Sequence, residues 1–281
     1  MNRNSLNLLT VFNVQIVLSA TRTIIALIFL LYASWSDYKT REVSNSVWIL
    51  YAPPAFTLTI IELFFYGDQS DMLFYGVSFG LTAAFSIILF YSGGFGGADA
   101  KALMCLALAL PFYPQNLFTP LFGEVSPISQ MFFPFTVFSN SVLLAVLMAV
   151  SLLLINTKER LTGKRLFDEG LNHETFWRKL LVLITGSKVS LDELKAKWYV
   201  YPLEDVDYLR ESPKRRLSII PKDDDRDAMV ERLEKAVQDG IIEDGVWATR
   251  GLPMLIFITL GLLIALVFGD VIWIFVRSLL G

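Results

Sequence analysis

Residues 17–35 read VLSATRTIIALIFLLYASW, and this stretch decides the fold class. It carries a single charged side chain, Arg22, and as a helix it would be about 28 Å long. The hydrocarbon core of a bilayer is about 30 Å thick, so roughly 20 mostly apolar residues are enough to cross it. We therefore predict a membrane-spanning helix that ends at Trp35.

Further apolar stretches follow along the chain. They predict membrane helices at residues 47–65, 72–91, 100–112, 135–155 and 252–275. The stretch at 100–112 is short, and its length is nearer that of a re-entrant or buried core helix than of a span. At the N-terminus, Arg3 and the apolar residues 8–20 are also typical of a signal peptide, but the apolar character resumes after Arg22 and favours a membrane anchor.

The composition indicates a membrane domain interrupted by one charged segment. Of the 281 residues, 54% are hydrophobic and only 18% are charged, and the mean hydropathy is +0.53. Residues 156–250 hold 18 of the 24 Lys and Arg residues and 19 of the 27 Asp and Glu residues. We predict a polytopic all-α membrane protein of about six transmembrane helices with a small α+β insert, divided into residues 1–155, 156–250 and 251–281.

Inside the insert, local patterns predict short helices and strands. An apolar face over residues 174–184 predicts a helix capped by Asn172, which suits either a membrane surface or packing within the insert. Ser190 and Glu193 have the spacing of a capping box before a short helix. The remaining predicted elements are strands at 198–203, 217–221 and 246–249 and a helix at 225–238.

Simple inventory excludes several classes of function. The formal net charge is −3 and the isoelectric point about 5.3, so no basic surface indicates nucleic acid as a partner. With Cys105 and His173 as the only residues of their types, an internal disulfide, a cysteine zinc site and a Ser-His-Asp triad are excluded. We expect neither a metal nor a cofactor.

The placement of Lys and Arg predicts which loops face the cytoplasm. Lys39 and Arg41 follow the first predicted span, Lys101 ends the loop 93–101 at the start of the fourth, and the insert follows the fifth. The intervening loops lack basic residues, and cytoplasmic loops are enriched in them. We therefore expect six spans in a cell membrane, both termini outside, and a cytoplasmic insert.

Eight acidic residues remain outside the insert, and six of them have simple explanations. Those six lie in predicted loops or near the outer face, where we expect solvation, snorkelling or packing: Glu42, Glu62, Asp68, Asp71, Glu124 and Asp270. Asp37 ends the first predicted span and Asp99 begins the fourth. The predicted topology puts both at the cytoplasmic face.

Two carboxylates at one depth on different helices are able to meet across a helix bundle. Brought close together they cannot both ionise easily, and they would hold one proton between them. The ionised partner can then take a proton from a water molecule while the protonated one polarises a peptide carbonyl, as in aspartic proteases. The residues alone also allow Asp37 as a loop residue paired with Lys39 or Arg41, and Asp99 as the N-cap of the fourth helix.

A family resemblance rests on these same positions. The segment Gly96-Gly97-Ala98-Asp99-Ala100-Lys101 resembles the GxGD signature of membrane aspartyl peptidases, with Ala98 in place of the second glycine. Asp37 followed by Lys39, Arg41 and Asn45 resembles the first-aspartate segment of type IV prepilin peptidases. The arrangement is similar to that of their archaeal branch, the preflagellin (archaellin) peptidases.

The resemblance implies a function and a set of site residues. Asp37 and Asp99 would be the catalytic pair that activates a water molecule, and the motif residues would be Gly96, Gly97, Ala98 and Lys101. The substrates would be prepilin or preflagellin subunits, whose class III signal peptides are cut at the cytoplasmic side. A single cysteine excludes the zinc motif of bacterial relatives that also methylate their product.

Two other classes of protein remain as alternatives. An ion-coupled membrane transporter also uses paired intramembrane acids and short, interrupted helices. A non-catalytic membrane anchor of a filament or secretion assembly would use the insert as a docking module.

Overall fold

A computed structural model of the chain describes residues 3–122, 124–163, 166–208, 213–218, 226–242 and 245–280. These residues belong to two compact units. The helical unit comprises Met1–Ala145 and Pro253–Gly281, and the insert unit comprises Val146–Leu252. One long helix, α6, contributes its first part to the helical unit and its second part to the insert unit.

The helical unit is built from long apolar helices around one short central helix. Its helices are α1 (Arg3–Thr40), α2 (Asn45–Tyr66), α3 (Gln69–Tyr91), α4 (Gly97–Ala109), α5 (Pro127–Met131), the first part of α6 (Phe133–Leu161), α10 (Met254–Phe268) and α11 (Val271–Leu280). Helix α4 packs against α1, α2, α3 and α10. Its Ala102, Leu103, Leu106 and Ala109 are buried, so protein rather than lipid surrounds this helix.

Among the described residues, four helices are long and apolar enough to cross a membrane. They are α2, α3, α6 and the Asn13–Thr40 part of α1, and the bent pair of α10 and α11 makes a fifth if it is counted as one span. Helix α4 has 13 residues and stops before Pro111, because the residue preceding a proline is disfavoured in helix. The chain is therefore mostly helical with several candidate spans, and the predicted count of six is not confirmed.

The last predicted span is broken rather than straight. Helices α10 and α11 meet at 54°, and Gly269 between them has a φ of +85°, a left-handed conformation that glycine adopts without strain. Asn140 holds both ends of the break, since its amide donates to the Gly269 carbonyl at 3.0 Å and its oxygen accepts from the Val271 N–H at 3.2 Å. The Asp270 carboxylate accepts from the Trp273 N–H and from the Ser126 hydroxyl, so this acid packs inside the protein.

Helices α6 and α10 approach each other closely at Gly261. A Cβ atom at this position would lie 2.6 Å from the Val137 carbonyl oxygen and would also meet the Ser141 side chain. Because backbone atoms cannot move aside cheaply, only glycine fits the contact.

Gly261→Ala is expected to destabilise the protein by about 1–3 kcal/mol, the typical cost of overpacking a well-packed core. The measurement is the thermal unfolding midpoint of the purified protein in detergent. The matched control is Gly80→Ala in α3, where nothing lies within 4 Å of the added methyl group. Equal midpoints for the two variants would contradict the close contact.

The insert unit is a small α+β fold that continues from α6. Its elements are a short 3-10 turn (Glu169–Leu171), α7 (Phe176–Thr185), β1 (Ser187–Val189), α8 (Leu191–Ala196), β2 (Tyr201–Pro202), β3 (Glu204–Asp207), β4 (Lys214–Leu217), α9 (Arg226–Gln238) and β5 (Val246–Thr249). Strand β5 lies between β1 and β2 in an antiparallel sheet, and β3 pairs with β4 in a separate antiparallel ribbon. The predicted small α+β insert is present.

Local predictions in the insert are correct to different degrees. Strand 246–249 is found as predicted, and the Ser190 hydroxyl accepts from the Glu193 N–H at 3.2 Å to begin α8. The strand predicted at 198–203 is only Tyr201–Pro202, and Thr175 rather than Asn172 caps α7. In the strand predicted at 217–221, only Leu217 is in a strand, and residues 219–221 lie outside the described part of the chain, as does residue 225 of the predicted helix.

Candidate functional site

Asp37 lies in the last turn of α1. The helix continues past its predicted end at Trp35, and the Asp37 carbonyl accepts the Arg41 N–H at 2.9 Å. Arg41 then ends the helix with a φ of +58°, in the left-handed region. The Lys39 ammonium lies 5.0 Å from the centre of the Trp35 ring. Asp37 is thus held on a helix, and the interpretation of it as a loop residue is wrong.

Asp99 lies in the first turn of α4. Gly96 precedes the helix as its N-cap, Gly97 and Ala98 are its first two residues, and Asp99 is the third. The Asp99 Oδ2 atom accepts the Gly96 N–H at 3.0 Å, so the carboxylate reaches back over the start of the helix. A Cβ atom on Gly96 would lie 3.2 Å from the same oxygen. The N-cap residue is therefore Gly96 rather than Asp99, but the Asp99 side chain does cap the start of the helix, and that part of the alternative is correct.

The two carboxylates lie within electrostatic range of one another. Helix α1 packs against α4, and the charge of Asp37 acts on Asp99. Both side chains are partly exposed and partly buried. The structure therefore brings together two acids that are 62 positions apart in the sequence.

Lys101 links the start of α4 to the start of α2. Its ammonium donates to the Asn45 Oδ1 atom at 2.7 Å. Asn45 is the first residue of α2 and Lys101 lies two residues after Asp99. This hydrogen bond therefore helps to set where the Asp99 end of α4 lies relative to α2.

A buried polar cluster holds the other end of α4. The Arg22 guanidinium donates to the Ala109 carbonyl at 3.0 Å and to the Thr59 hydroxyl at 3.2 Å, and it forms an ion pair with Glu62. The Thr59 hydroxyl also donates to the Leu108 carbonyl at 2.7 Å. These donors satisfy carbonyl groups that a helix C-terminus leaves without a partner in its own helix.

Sequence reasoning missed this cluster. It gave Arg22 no role, and for Glu62 it expected solvation, snorkelling or packing near the outer face without naming a partner. Arg22 is 8% exposed and the Glu62 side chain 17% exposed, so Glu62 packs inside the protein. The available signal was that two neighbouring spans carry one charge each and of opposite sign, since charges inside a bilayer pair with one another.

The described residues contain no group of three or more His, Cys, Asp or Glu side chains that could hold a metal ion. Cys105 is buried in the core of the helical unit.

Two family models match most of this chain. Residues 24–154 match the type IV leader peptidase family, and residues 178–271 match the archaeal peptidase A24 C-terminus, type II. Both models describe A24-type peptidases, and together they cover 225 of the 281 residues. The chain is therefore a protease, and the enzymes of this family are aspartic-type peptidases. The family and the apolar helices make it a multi-pass membrane protein.

Curated relatives of this peptidase cover nearly the same length. It is 26% identical over 251 residues to a preflagellin peptidase of Methanococcus voltae, covering 88% of this chain and 94% of the relative. It is 24% identical over 253 residues to a preflagellin peptidase of Methanocaldococcus jannaschii, covering 88% and 93%. A preflagellin peptidase of Methanococcus maripaludis is 23% identical over 251 residues, covering 88% and 94%.

Lys101→Met and Asn45→Ala remove the same hydrogen bond from opposite sides. Each is expected to lower the free energy of unfolding by about 0.5–1.5 kcal/mol, and the double variant should lose little more than either single variant. Chemical denaturation in detergent gives the energies, and peptide cleavage by the three variants should fall to a similar extent. A far larger loss of cleavage in Lys101→Met than in Asn45→Ala would contradict a tether and indicate direct action of Lys101 on the substrate.

Proposed function

We propose that this peptidase is an aspartic endopeptidase in which Asp37 and Asp99 are the catalytic pair. The observation that carries the proposal is the position of two half-buried carboxylates, one in the last turn of α1 and one in the first turn of α4, on helices that pack against each other. Both residues lie inside the segment that matches the type IV leader peptidase family. Gly96 is the N-cap of α4, and Gly97 and Ala98 precede Asp99 in its first turn.

In the proposed reaction, one carboxyl group is protonated and the other is ionised. The ionised group takes a proton from a water molecule, whose oxygen attacks the carbonyl carbon of the scissile peptide bond. The protonated group donates a hydrogen bond to the carbonyl oxygen as it gains negative charge. A proton then passes to the nitrogen, the carbon–nitrogen bond breaks, and the products are a carboxylic acid and an amine.

The proposed substrates are preflagellin or prepilin-type subunits carrying class III signal peptides. All three of the relatives described above are named preflagellin peptidases, and the chain covers at least 93% of each. Preflagellin is therefore the first substrate to test. Family membership also favours a peptidase over the transporter and the non-catalytic anchor.

We place the reaction at the cytoplasmic face of a cell membrane. Lys39, Arg41 and Lys101 flank the two aspartates, and the insert of residues 156–250 holds most of the basic side chains. Because basic residues are enriched in cytoplasmic loops, the ends of α1 and α4 that carry the aspartates belong on that side. The same rule supports six crossings, with α4 and the bent pair of α10 and α11 each crossing once.

The test of this function is cleavage of a preflagellin that carries its leader peptide. Full-length peptidase purified in detergent is incubated with this substrate, and the products are identified by mass spectrometry. We expect a single cut that releases the leader. Intact substrate in the presence of folded protein, together with proton-coupled uptake in liposomes, would overturn the proposal in favour of a transporter.

A further inference from the structure

We propose that helix α7 of the insert unit lies in the interfacial region of the lipid bilayer. Its Phe176, Trp177 and Leu181 would enter the boundary between headgroups and acyl chains. This inference goes beyond proteolysis and does not rest on the roles of Asp37 and Asp99. The partner is a bilayer surface that contains anionic lipids.

The apolar face of α7 points away from the core of the insert unit. Phe176 and Trp177 are each 70% exposed and Leu181 is 37% exposed, whereas Val182 on the opposite side is fully buried. At 100° per residue, the three exposed side chains fall within one face of the helix. Two neighbouring aromatic rings left in water are unusual for a surface helix, and Trp is enriched at membrane interfaces.

The contact between α6 and the end of α7 sets the depth of α7 relative to the bilayer. Asn156 of α6 is 2% exposed, and its amide donates to the Leu183 carbonyl at 2.8 Å and to the Gly186 carbonyl at 2.9 Å. Asn156 directly follows the apolar part of α6, and Lys158 and Arg160 follow it. The last turn of α7 is therefore fixed at the level where α6 leaves the hydrocarbon region.

An apolar cavity of about 290 Å³ adjoins the same end of α7. Met148 and Leu152 from the apolar part of α6 line it, together with Ile184 of α7 and Leu252. The apolar surface of the span thus continues onto the end of α7. This continuity supports a lipid environment for the helix rather than an aqueous one.

Basic groups next to the aromatic pair match an anionic membrane surface. Arg178 and Lys179 follow Trp177 directly, and the Arg178 side chain is 50% exposed although it pairs with Glu174. Basic side chains beside an apolar face are typical of helices that lie in the plane of anionic membranes. In the sequence, α6 precedes α7 and α10 follows the insert. The apolar helices on both sides of the insert therefore keep α7 close to the bilayer.

The test places a spin label on full-length protein in nanodiscs that contain anionic lipids. In a Cys105→Ala background, labels are attached at Trp177→Cys, at Leu147→Cys on the exposed side of α6 as the lipid reference, and at Glu231→Cys on α9 as the aqueous reference. Collisions with oxygen and with a water-soluble nickel chelate then report depth. We expect the nickel accessibility at position 177 to be severalfold lower than at 231, with oxygen accessibility close to that at 147.

Two results would overturn the proposal. One is equal nickel accessibility at positions 177 and 231, which would place α7 in water. The other is protection from both reagents together with dipolar broadening that disappears on dilution with unlabelled protein, which would identify a second copy of the chain as the partner.

A second measurement needs no label. Brominated lipids should quench the fluorescence of the unmodified protein more than that of Trp177→Phe, since the difference comes from Trp177 in the bilayer. An equal absolute loss of fluorescence intensity in the two proteins, at equal protein concentration, would also overturn the proposal.

Discussion

Asp37→Asn and Asp99→Asn are each expected to lower kcat/KM for leader-peptide cleavage by about 10²- to 10⁴-fold, the usual range for loss of a general acid or base. Asparagine keeps the size of the side chain and its hydrogen-bonding capacity, but it neither takes a proton from water nor gives one to the substrate. Because the two residues act as one unit, removing the second carboxylate should cost little activity once the first is gone. The double variant should therefore cleave about as fast as the less active of the two single variants.

The measurement is a time course of preflagellin cleavage by the purified variants, followed by gel electrophoresis and mass spectrometry. Glu42→Gln is the matched control, since Glu42 is an exposed acid five positions after Asp37. It is expected to cleave at the rate of the unmodified protein. Unimpaired processing by both asparagine variants would refute the proposed pair, whereas unchanged unfolding midpoints with lost cleavage would support it.

Arg22→Met is expected to destabilise the protein by about 3–5 kcal/mol, the typical cost of removing one partner of a buried ion pair. The substitution leaves the Glu62 carboxylate without its counter-charge, and the Ala109 carbonyl keeps only the longer contact with the Thr59 hydroxyl at 3.3 Å. Glu62→Gln should cost less, because the amide still accepts a hydrogen bond from Arg22. The measurement is the thermal unfolding midpoint in detergent, with the free energy taken from denaturant titration.

The double variant Arg22→Met/Glu62→Met tests whether the stability lost in Arg22→Met comes from the unpaired Glu62 carboxylate. Replacing both charges by apolar side chains removes the unpaired carboxylate, so much of the stability lost in Arg22→Met should return. A double variant as unstable as Arg22→Met would contradict this account. An Arg22→Met protein as stable as the unmodified chain would contradict the buried pair itself.

These expectations share one physical origin, which is the central position of α4. Asp99 lies at its first turn, Lys101 holds that end to Asn45, and Arg22 with Thr59 holds the other end. A helix of 13 residues surrounded by protein can be fixed from both ends by polar side chains. We therefore expect loss of Arg22 to reduce cleavage as well as stability, although Arg22 lies at the opposite end of α4 from Asp99.

The sequence by itself predicted a division of the chain and singled out two candidate aspartates. Apolar length predicts membrane helices because the bilayer has a definite thickness. The concentration of charge in residues 156–250 indicated the insert, and local strand and capping patterns predicted the strand at 246–249 and the start of α8. Asp37 and Asp99 stood out because an acid within an apolar region requires a reason.

Only the tertiary structure decided which polar groups meet. Arg22 and Glu62 are 40 residues apart, and the Asn156 amide reaches carbonyls of α7 about 30 residues further along the chain. The break between α10 and α11 likewise depends on Asn140, more than 120 residues away. Lipid and protein interior are equally apolar, so a run of apolar residues reports how long a helix is and not what surrounds it. The packing of the helices decides which polar side chains become partners, and these partners fix the position of α4 between α1 and α2. A local sequence pattern does not predict that packing.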